Sequence, residues 1–342
     1  MTRIVSWNID KGGIDQHGLA DALEELNPDL AVLIEFRRPS STGDLAAVLR
    51  GRGWRSMAVS AFDGAGNAVL VAARDPFDAS PLVGEHLEHG TVMRVSMPGV
   101  SFDIYGCEFP ATGKKWSHRL MWDAVLAQAA ASPRPVMLVG DLNTGAHEID
   151  EEGSCICRDD FADLTAIGWR DLYREVHGQQ LAFSWRSPYG NRFRMDHALA
   201  RADLAAEIVG VEYVNHLGRR PLWPGVAYPG QKVLSDHAPL VIDVAGVSTQ
   251  VDAPGAGFGW LRSLRGFAAT CAVDAVPAGD LVQQTALRID AGELEQISTM
   301  DLRRCLSLMV AGIDVDGPPG AQLELDLRAV EAEILRRHRR VL

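Results

Sequence analysis

Short, dense runs of apolar and β-branched residues punctuate the chain, and between some of them apolar residues recur every third or fourth position. The runs RIVSWNI, LAVLIEF, AVLVAA, VSFDIYGCEF, PVMLVGDLN, MDHALA and PLVIDV are predicted strands, and each ends near a polar or charged residue. Between the first two, GLADALEELNPD carries Leu19, Leu23 and Leu26 at helical spacing before Asn27-Pro28 stops the helix. RLMWDAVLAQAAA, residues 119–131, is a second predicted helix. Many strands with few helices between them predict two packed sheets flanked by helices, not a continuous βαβ repeat. The expected class is α+β, a four-layer α/β sandwich with a small helical C-terminal extension.

The pattern changes after Val244. Residues 245–258, AGVSTQVDAPGAGF, are small, polar and glycine-rich, as a linker is. The expected organisation is a catalytic unit at 1–246, a linker at 247–258 and a helical accessory region at 259–342. In that last region Ser298-Thr299-Met300-Asp301 resembles a capping box, and Gly317-Pro318-Pro319-Gly320 separates two helices. Leu302, Leu306 and Met309, then Leu323, Leu327, Val330 and Ile334, form two apolar stripes that need cover. Self-association or docking of a protein partner is the role expected of them, with no catalytic group contributed.

With 342 residues, 47% of them hydrophobic, the chain can bury a sizeable core. The formal net charge of −12 counts against an unassisted grip on duplex DNA, which uses basic surfaces. It does not exclude nucleic acid, because divalent cations on carboxylates make a cleft locally positive. No run reaches the roughly 18 apolar residues that span a bilayer, so a soluble, cytoplasmic protein with no membrane partner is expected. The five cysteines form neither an even disulfide framework nor a paired CxxC pattern, which fits reduced thiols.

Cleaving a phosphodiester requires positive charge on the phosphate oxygens, a group that orients or deprotonates water, and a donor for the developing charge. SWNID places Asn8 and Asp10 at the end of the first strand, and LIEF ends an otherwise apolar strand on Glu35. On its own segment Glu35 reads either as a surface carboxylate or as an oxygen ligand for Mg²⁺ or Mn²⁺. In VMLVGDLNTG an apolar strand runs into Asp141 and Asn143, which period-two alternation points to one side. VLSDHAPLVIDV sets Asp236 and His237 before another strand, and RMDHALA sets Asp196 and His197 similarly. Either pair alone could be a turn cap or an exposed histidine.

In this order the blocks resemble the endonuclease/exonuclease/phosphatase family, whose pattern is W-N, an acidic strand end, G-D-x-N, R-x-D and S-D-H. Here they read Trp7-Asn8, Glu35, Gly140-Asp141-Leu142-Asn143, Arg194-Met195-Asp196 and Ser235-Asp236-His237, within residues 1–244. Asn67, the Glu108-Phe109-Pro110 turn followed by Arg119, and Phe183-Ser184-Trp185 support the match. The resemblance implies a Mg²⁺ or Mn²⁺ cofactor with Glu35 as principal ligand and Asp10 and Asp236 close by. It implies that Asn8 also lies near the cation or its waters and that Asp141 orients or deprotonates the attacking water. Asn143 is then expected to hold the phosphate or that water, and His237 to donate to a non-bridging oxygen while Asp196 orients it.

Glu108 departs from the family pattern, where relatives carry a tyrosine or histidine near this position. Either it joins the acidic cluster, or it points away and Tyr105, Lys114, Lys115 or His118 takes the phosphate contact. Glu108, Trp185, Asn67 and Arg119 are the expected substrate-side residues, Trp185 being open to either stacking or core packing. Arg194 and His197 are expected to be structural. Cleavage of DNA, or of RNA, is the leading expectation. Hydrolysis of lipid headgroups or small phosphoesters is the alternative. A non-catalytic binding module is the least favoured, since no member of the motif set is missing.

Overall fold

The computed structural model describes residues 1–245 apart from 40–42, 61, 63–65, 85–86, 88–90, 111–114, 147–148, 154–160, 163, 165–166 and 229. The predicted linker at 247–258, the helical region at 259–342 and its apolar stripes lie outside the described residues. The chain divides into two units, and the first, Met1–Thr165 with Trp169–Thr249, holds every element named below.

The first sheet is built from β1 (Thr2–Asn8), β2 (Leu30–Arg37), β3 (Ser56–Val59), β4 (Asn67–Ala73), β13 (Ile208–Tyr213) and β16 (Leu240–Val244) in the order β13-β16-β1-β2-β4-β3. The second contains β5 (Asp78–Pro81), β6 (Thr91–Ser96), β7 (Asp103–Glu108), β8 (Val136–Asp141), β9 (Trp169–Asp171) and β12 (Asp196–Arg201) in the order β5-β6-β7-β8-β12-β9. Two small hairpins, β10 (Trp185–Arg186) with β11 (Arg192–Phe193) and β14 (His216–Leu217) with β15 (Arg220–Pro221), complete the strands. Helices α1 (Gln16–Leu26), α2 (Leu45–Gly51), α3 (Lys115–Ala131), α4 (Leu172–His177) and α5 (Ala202–Ala205) fill the connections.

Three apolar clusters make the layers. Ile4, Val32 and Val71 of the first sheet meet Ile104, Met137 and Val139 of the second in the central core. The opposite face of the first sheet, Val5, Trp7 and Leu33, is covered by Leu19 and Leu23 of α1 and Leu49 of α2. The outer face of the second, Tyr105 and Leu138, is covered by Met121, Trp122 and Val125 of α3. Helix, sheet, sheet, helix is the expected four-layer sandwich. Central strands are buried on both faces, which is why they read as continuous apolar runs.

The helices start and stop for local reasons. Asp15 caps α1 by accepting from the Gly18 amide at 2.8 Å, and Asn27 ends it in the left-handed region at φ 47°. Besides the two small hairpins, the strands absent from the sequence reading, β3, β5, β6, β9 and β13, lie at or next to the edges of the two large sheets. Such strands are short or mixed in composition, so periodicity marks them weakly. Among the described residues no helix is long and apolar enough to cross a membrane.

Candidate active site

Strand parity decides which side chains face the cleft between the sheets. On β1, Ile4 points into the central core and Val5 and Trp7 point to the helices, so Asn8 falls on the inner face. On β7 and β8 the inner series Ile104 and Met137, Val139 leads to Glu108 and Asp141. On β12, Ala198 and Ala200 face inward and put Asp196 there too, while Leu199 faces α3 and takes His197 with it. Pairing registers align Glu108 with Asp141, and Asp141 with Asp196, across three neighbouring strands.

Glu35 breaks this rule. Leu30 and Val32 face the central core and Ala31 and Leu33 the helices, so unbroken alternation would send Glu35 toward α1. Pairing with β4 slips between Leu33 and Phe36, where two residues of β2 stand opposite one of β4. This bulge restores Phe36 to the helix side and turns Glu35 and Arg37 inward. Glu35 takes φ 57° to do so. Asp10, Lys11 and Asn143 also have positive φ, and of the five non-glycine residues with positive φ among those described only the helix cap Asn27 lies elsewhere. Backbone strain of this kind collects where a site over-determines the conformation. Gly140 serves the same end: at φ 147° it lets β8 approach β7 so closely that any Cβ would sit on the Cys107 carbonyl.

Hydrogen bonds join these side chains into one network. The Asn8 amide donates to Glu35 Oε1 at 3.2 Å and to Asp141 Oδ2 at 3.0 Å, and Asn8 Oδ1 accepts from the Asp10 amide at 3.1 Å. Lys11 N donates to Glu35 Oε2 at 3.0 Å. The Asn143 backbone caps Asp141 at 3.0 Å, while its side-chain amide donates to the Phe109 carbonyl at 2.8 Å. His237 Nδ1 lies 2.7 Å from Asp196 Oδ2, and its Nε2 faces Asp141 Oδ2 at 3.8 Å. Ser235 ties the last block to the first strand, donating to the Asn8 carbonyl at 2.6 Å and accepting from the His237 amide at 3.1 Å. Trp7 adds a bond to the His237 carbonyl at 2.9 Å. Residues separated by more than 200 positions are thereby held as one unit.

Burial and like charge set the protonation of this network. Desolvation, with Asp196 adding to it, pushes the Asp141 carboxyl up to about 7 against the opposing pull of His237 and Asn8. For His237 burial acts downward but is outweighed by the carboxylates of Asp196 and Asp141, which raise it to about 10. The flanking carboxylates therefore favour the imidazolium form, held at Nδ1 by Asp196 with Nε2 facing the cleft.

Two groups of side chains could hold a cation. Ligand atoms of Asp141, Asp196 and His237 lie within 4.8 Å of one another. All three are buried, and the 2.7 Å contact between His237 and Asp196 already uses their facing atoms, so hydrogen bonding describes them better. Glu35, Asp10 and Asp236 are each partly exposed and offer only hard oxygens, the donor set of ions that keep some of their water. By donor type those three could hold a divalent cation, although among the described residues it is the Asp141, Asp196 and His237 group whose ligand atoms lie within 4.8 Å of one another.

The sequence profile described as the Endonuclease/Exonuclease/phosphatase family matches residues 5–237. The chain belongs to the endonuclease/exonuclease/phosphatase family. Metal-dependent hydrolysis of phosphoesters is the chemistry of that family. No curated protein matches the chain in sequence. Solved structures share the fold. A 3′ phosphatase from Neisseria bound to a product DNA hairpin superposes with TM-score 0.57 at 19% identity, over 71% of this chain and 99% of that one. An AP endonuclease from Archaeoglobus fulgidus gives 0.58 and a 3′-5′ exonuclease from Neisseria meningitidis 0.56, each at 19% identity and the same coverage, 71% of this chain and 99% of theirs.

In this member of the endonuclease/exonuclease/phosphatase family the expected residues are not equally placed. Asn8, Asp10, Glu35, Asp141, Asn143, Asp196, Asp236 and His237 share one edge of the sandwich. Glu108 belongs with them on the inner face, where its Oε1 accepts from Asn67 Nδ2 at 3.1 Å and Asn67 Oδ1 accepts from Arg37 at 2.9 Å. The alternative phosphate contacts at Tyr105 and His118 are overturned: Tyr105 is buried on the α3 side, and His118 is buried against Phe109 and Trp122 with Nε2 at 2.8 Å from the Leu142 carbonyl. The side chains of Lys114 and Lys115 lie outside the described residues. Arg119 sits on the helix layer beside Asp123 at 3.5 Å. Trp185 neither stacks freely nor fills the core, since its Nε1 donates to Asp236 Oδ2 at 3.2 Å while its ring leans on Phe193.

Buried Arg194 is structural, as expected, but its partners Asp150 and Asp171 escaped the sequence reading. It bonds both carboxylates and locks the segment after β8 against the start of β12. A motif arginine two residues before Asp196 was the available signal. Ser184, whose hydroxyl accepts from the Met195 and Asp196 amides at 3.0 and 3.1 Å, is a further support.

Proposed function

We propose that this protein hydrolyses phosphodiester bonds of nucleic acid, DNA in the first place, with Mg²⁺ or Mn²⁺ held by Glu35, Asp10 and Asp236. A divalent ion bound there neutralises charge on the phosphate and on the leaving oxygen. The observation that carries the reading is the chain Asp196–His237–Asp141 standing beside the Asn8–Glu35 bridge, with contacts of 2.7, 3.8, 3.0 and 3.2 Å.

In this reading Asp196 holds the imidazolium through Nδ1, so that Nε2–H donates to a non-bridging phosphate oxygen as negative charge builds there. Asp141, poised near neutrality by its burial, takes a proton from the attacking water. Asn8 keeps Asp141 and Glu35 at a fixed separation, and Asn143 shapes the phosphate pocket with its amide. Trp185 and Asn67 fix Asp236 and Glu108 at the rim. Nucleic acid is favoured over lipid headgroups because solved structures that share the fold include a 3′ phosphatase bound to a product DNA hairpin and an AP endonuclease.

The test is hydrolysis of plasmid DNA, single-stranded DNA, RNA and a bis-aryl phosphodiester, each with and without Mg²⁺ or Mn²⁺, by the native protein and by Glu35→Gln. Metal-dependent cleavage of a nucleic acid, lost in the variant, is the expected result. Turnover of the small diester alone would move the substrate to the small-phosphoester class. Full activity of Glu35→Gln at saturating metal would overturn the ligand assignment.

A further inference from the structure

A lysine stands inside the acidic rim. Asp10, Lys11, Gly12 and Gly13 follow β1 with φ of 48°, 52°, 88° and 79°, four consecutive residues in the left-handed region. Positive φ is what favours glycine here, and a Cβ would also press on Arg37 Cβ at 3.2 Å from Gly12 and on the Leu19 side chain from Gly13. The run coils back over the bulge of β2, which places the Lys11 amide on Glu35 Oε2 at 3.0 Å. It also places Lys11 Nζ on Asp10 Oδ1 at 2.9 Å. The backbone of this one residue thus serves one carboxylate of the rim and its ammonium another.

The side chain is 62% exposed, so the ammonium is held by charge and not by packing. Its ammonium is bonded to Asp10 and lies in the field of Glu35 and Asp236 as well. In a chain of net charge −12 it is a cation placed among the three oxygen donors assigned to the divalent ion. Lysine is a compact charge on a flexible stem, free to exchange one anionic partner for another.

Resting on the ligand assignment above, we propose that Lys11 is the resident counter-ion of this rim: it competes with the divalent cation for Asp10 and, once displaced, turns its ammonium to the phosphate of the substrate. The proposal makes the lysine a participant in two steps that have separate readouts, cation binding without substrate and substrate binding at saturating cation.

The experiment titrates Mn²⁺ alone into the full-length protein by calorimetry, for the native chain, Lys11→Met, Lys11→Arg and Glu35→Gln. Melting curves and circular dichroism confirm that each variant is folded. Lys11→Met removes the competing charge, and its affinity for Mn²⁺ is expected to rise about two- to fivefold, the range of an exposed ion pair. At saturating Mn²⁺ its KM for a bis-aryl phosphodiester is expected to rise by about the same factor, with kcat less affected. Lys11→Arg keeps the charge and should stay near the native values for both. Unchanged Mn²⁺ affinity in Lys11→Met, or an unchanged KM, overturns the proposal. If Mn²⁺ binding is lost in Glu35→Gln while Lys11→Met behaves as native, Lys11 alone is misassigned. Mn²⁺ binding that survives Glu35→Gln instead overturns the ligand assignment on which the proposal rests.

Discussion

Replacing Asp196 with asparagine separates the orienting group from the group it orients. The native contact is a buried hydrogen bond of 2.7 Å between a carboxylate and an imidazolium. Bonds of this charge-assisted kind contribute about 1.5–3 kcal/mol, which at about 1.4 kcal/mol per decade corresponds to a fall in kcat/KM of roughly 10- to 150-fold. The strand itself should stay in place, because Ser184 holds the Asp196 amide at 3.1 Å and Tyr213 holds its carbonyl at 2.5 Å, neither through the carboxylate. His237→Ala removes the donor outright and is expected to cost about 10²–10⁴. The double variant should then be no worse than His237→Ala, since an orienting group has nothing left to orient. Steady-state kinetics on a small phosphodiester measure all three. A second readout is the alkaline limb of the kcat/KM profile. Asp196 is the leading carboxylate that lifts His237 to about 10, so losing its charge must lower that value and move the alkaline fall to lower pH. Losses that multiply in the double variant, or an alkaline limb that stays where it was, would refute the idea that the two residues act together.

Three further outcomes follow from the geometry. With Asp141 raised to about 7 and required in its ionised form, kcat/KM should climb as pH rises through about 7; an acid limb near the ordinary carboxylate value of about 4 would place the base elsewhere. Gly140→Ala forces a Cβ onto the Cys107 carbonyl at φ 147° and should cost about 2–5 kcal/mol in urea denaturation, with activity falling as Asp141 shifts; a native midpoint would show that β7 and β8 can part freely. A chain ending at residue 246 closes the first sheet, since β16 ends at Val244 paired with β1, and should hydrolyse a small diester within about threefold of the native rate, less than ~0.7 kcal/mol of barrier. A folded, metal-binding truncation without activity would show that residues 259–342 complete the site.

The linear pattern alone determined the strands that build the centre of the molecule and the polar residues that end them. Runs such as VMLVGD are apolar on both faces because each central strand is buried on both, and a change to Asp at the end is readable without knowing its partners. Motif order, through the family resemblance, then marked Asn8, Glu35, Asp141, Asp196 and His237 as members of one expected site. Edge strands were not legible, because a short strand with one solvent-facing side carries too few apolar positions to set a period. Direction was the larger gap. Simple alternation sends Glu35 to the α1 side, and only the slip in pairing between β2 and β4, a property of two strands together, brings it to the cleft. The same holds for the choice at β7, where Glu108 faces the site because Tyr105 and Cys107 are claimed by α3, and His118 is spent on the Leu142 carbonyl. Nothing in the linear pattern marks Asp150 and Asp171 as partners of the buried Arg194, since the need to neutralise a buried charge appears only when the surrounding chain excludes water. Periodicity encodes how deeply a residue is buried, whereas which neighbours share that burial is decided by pairings across more than a hundred positions, and those exist only in the folded chain.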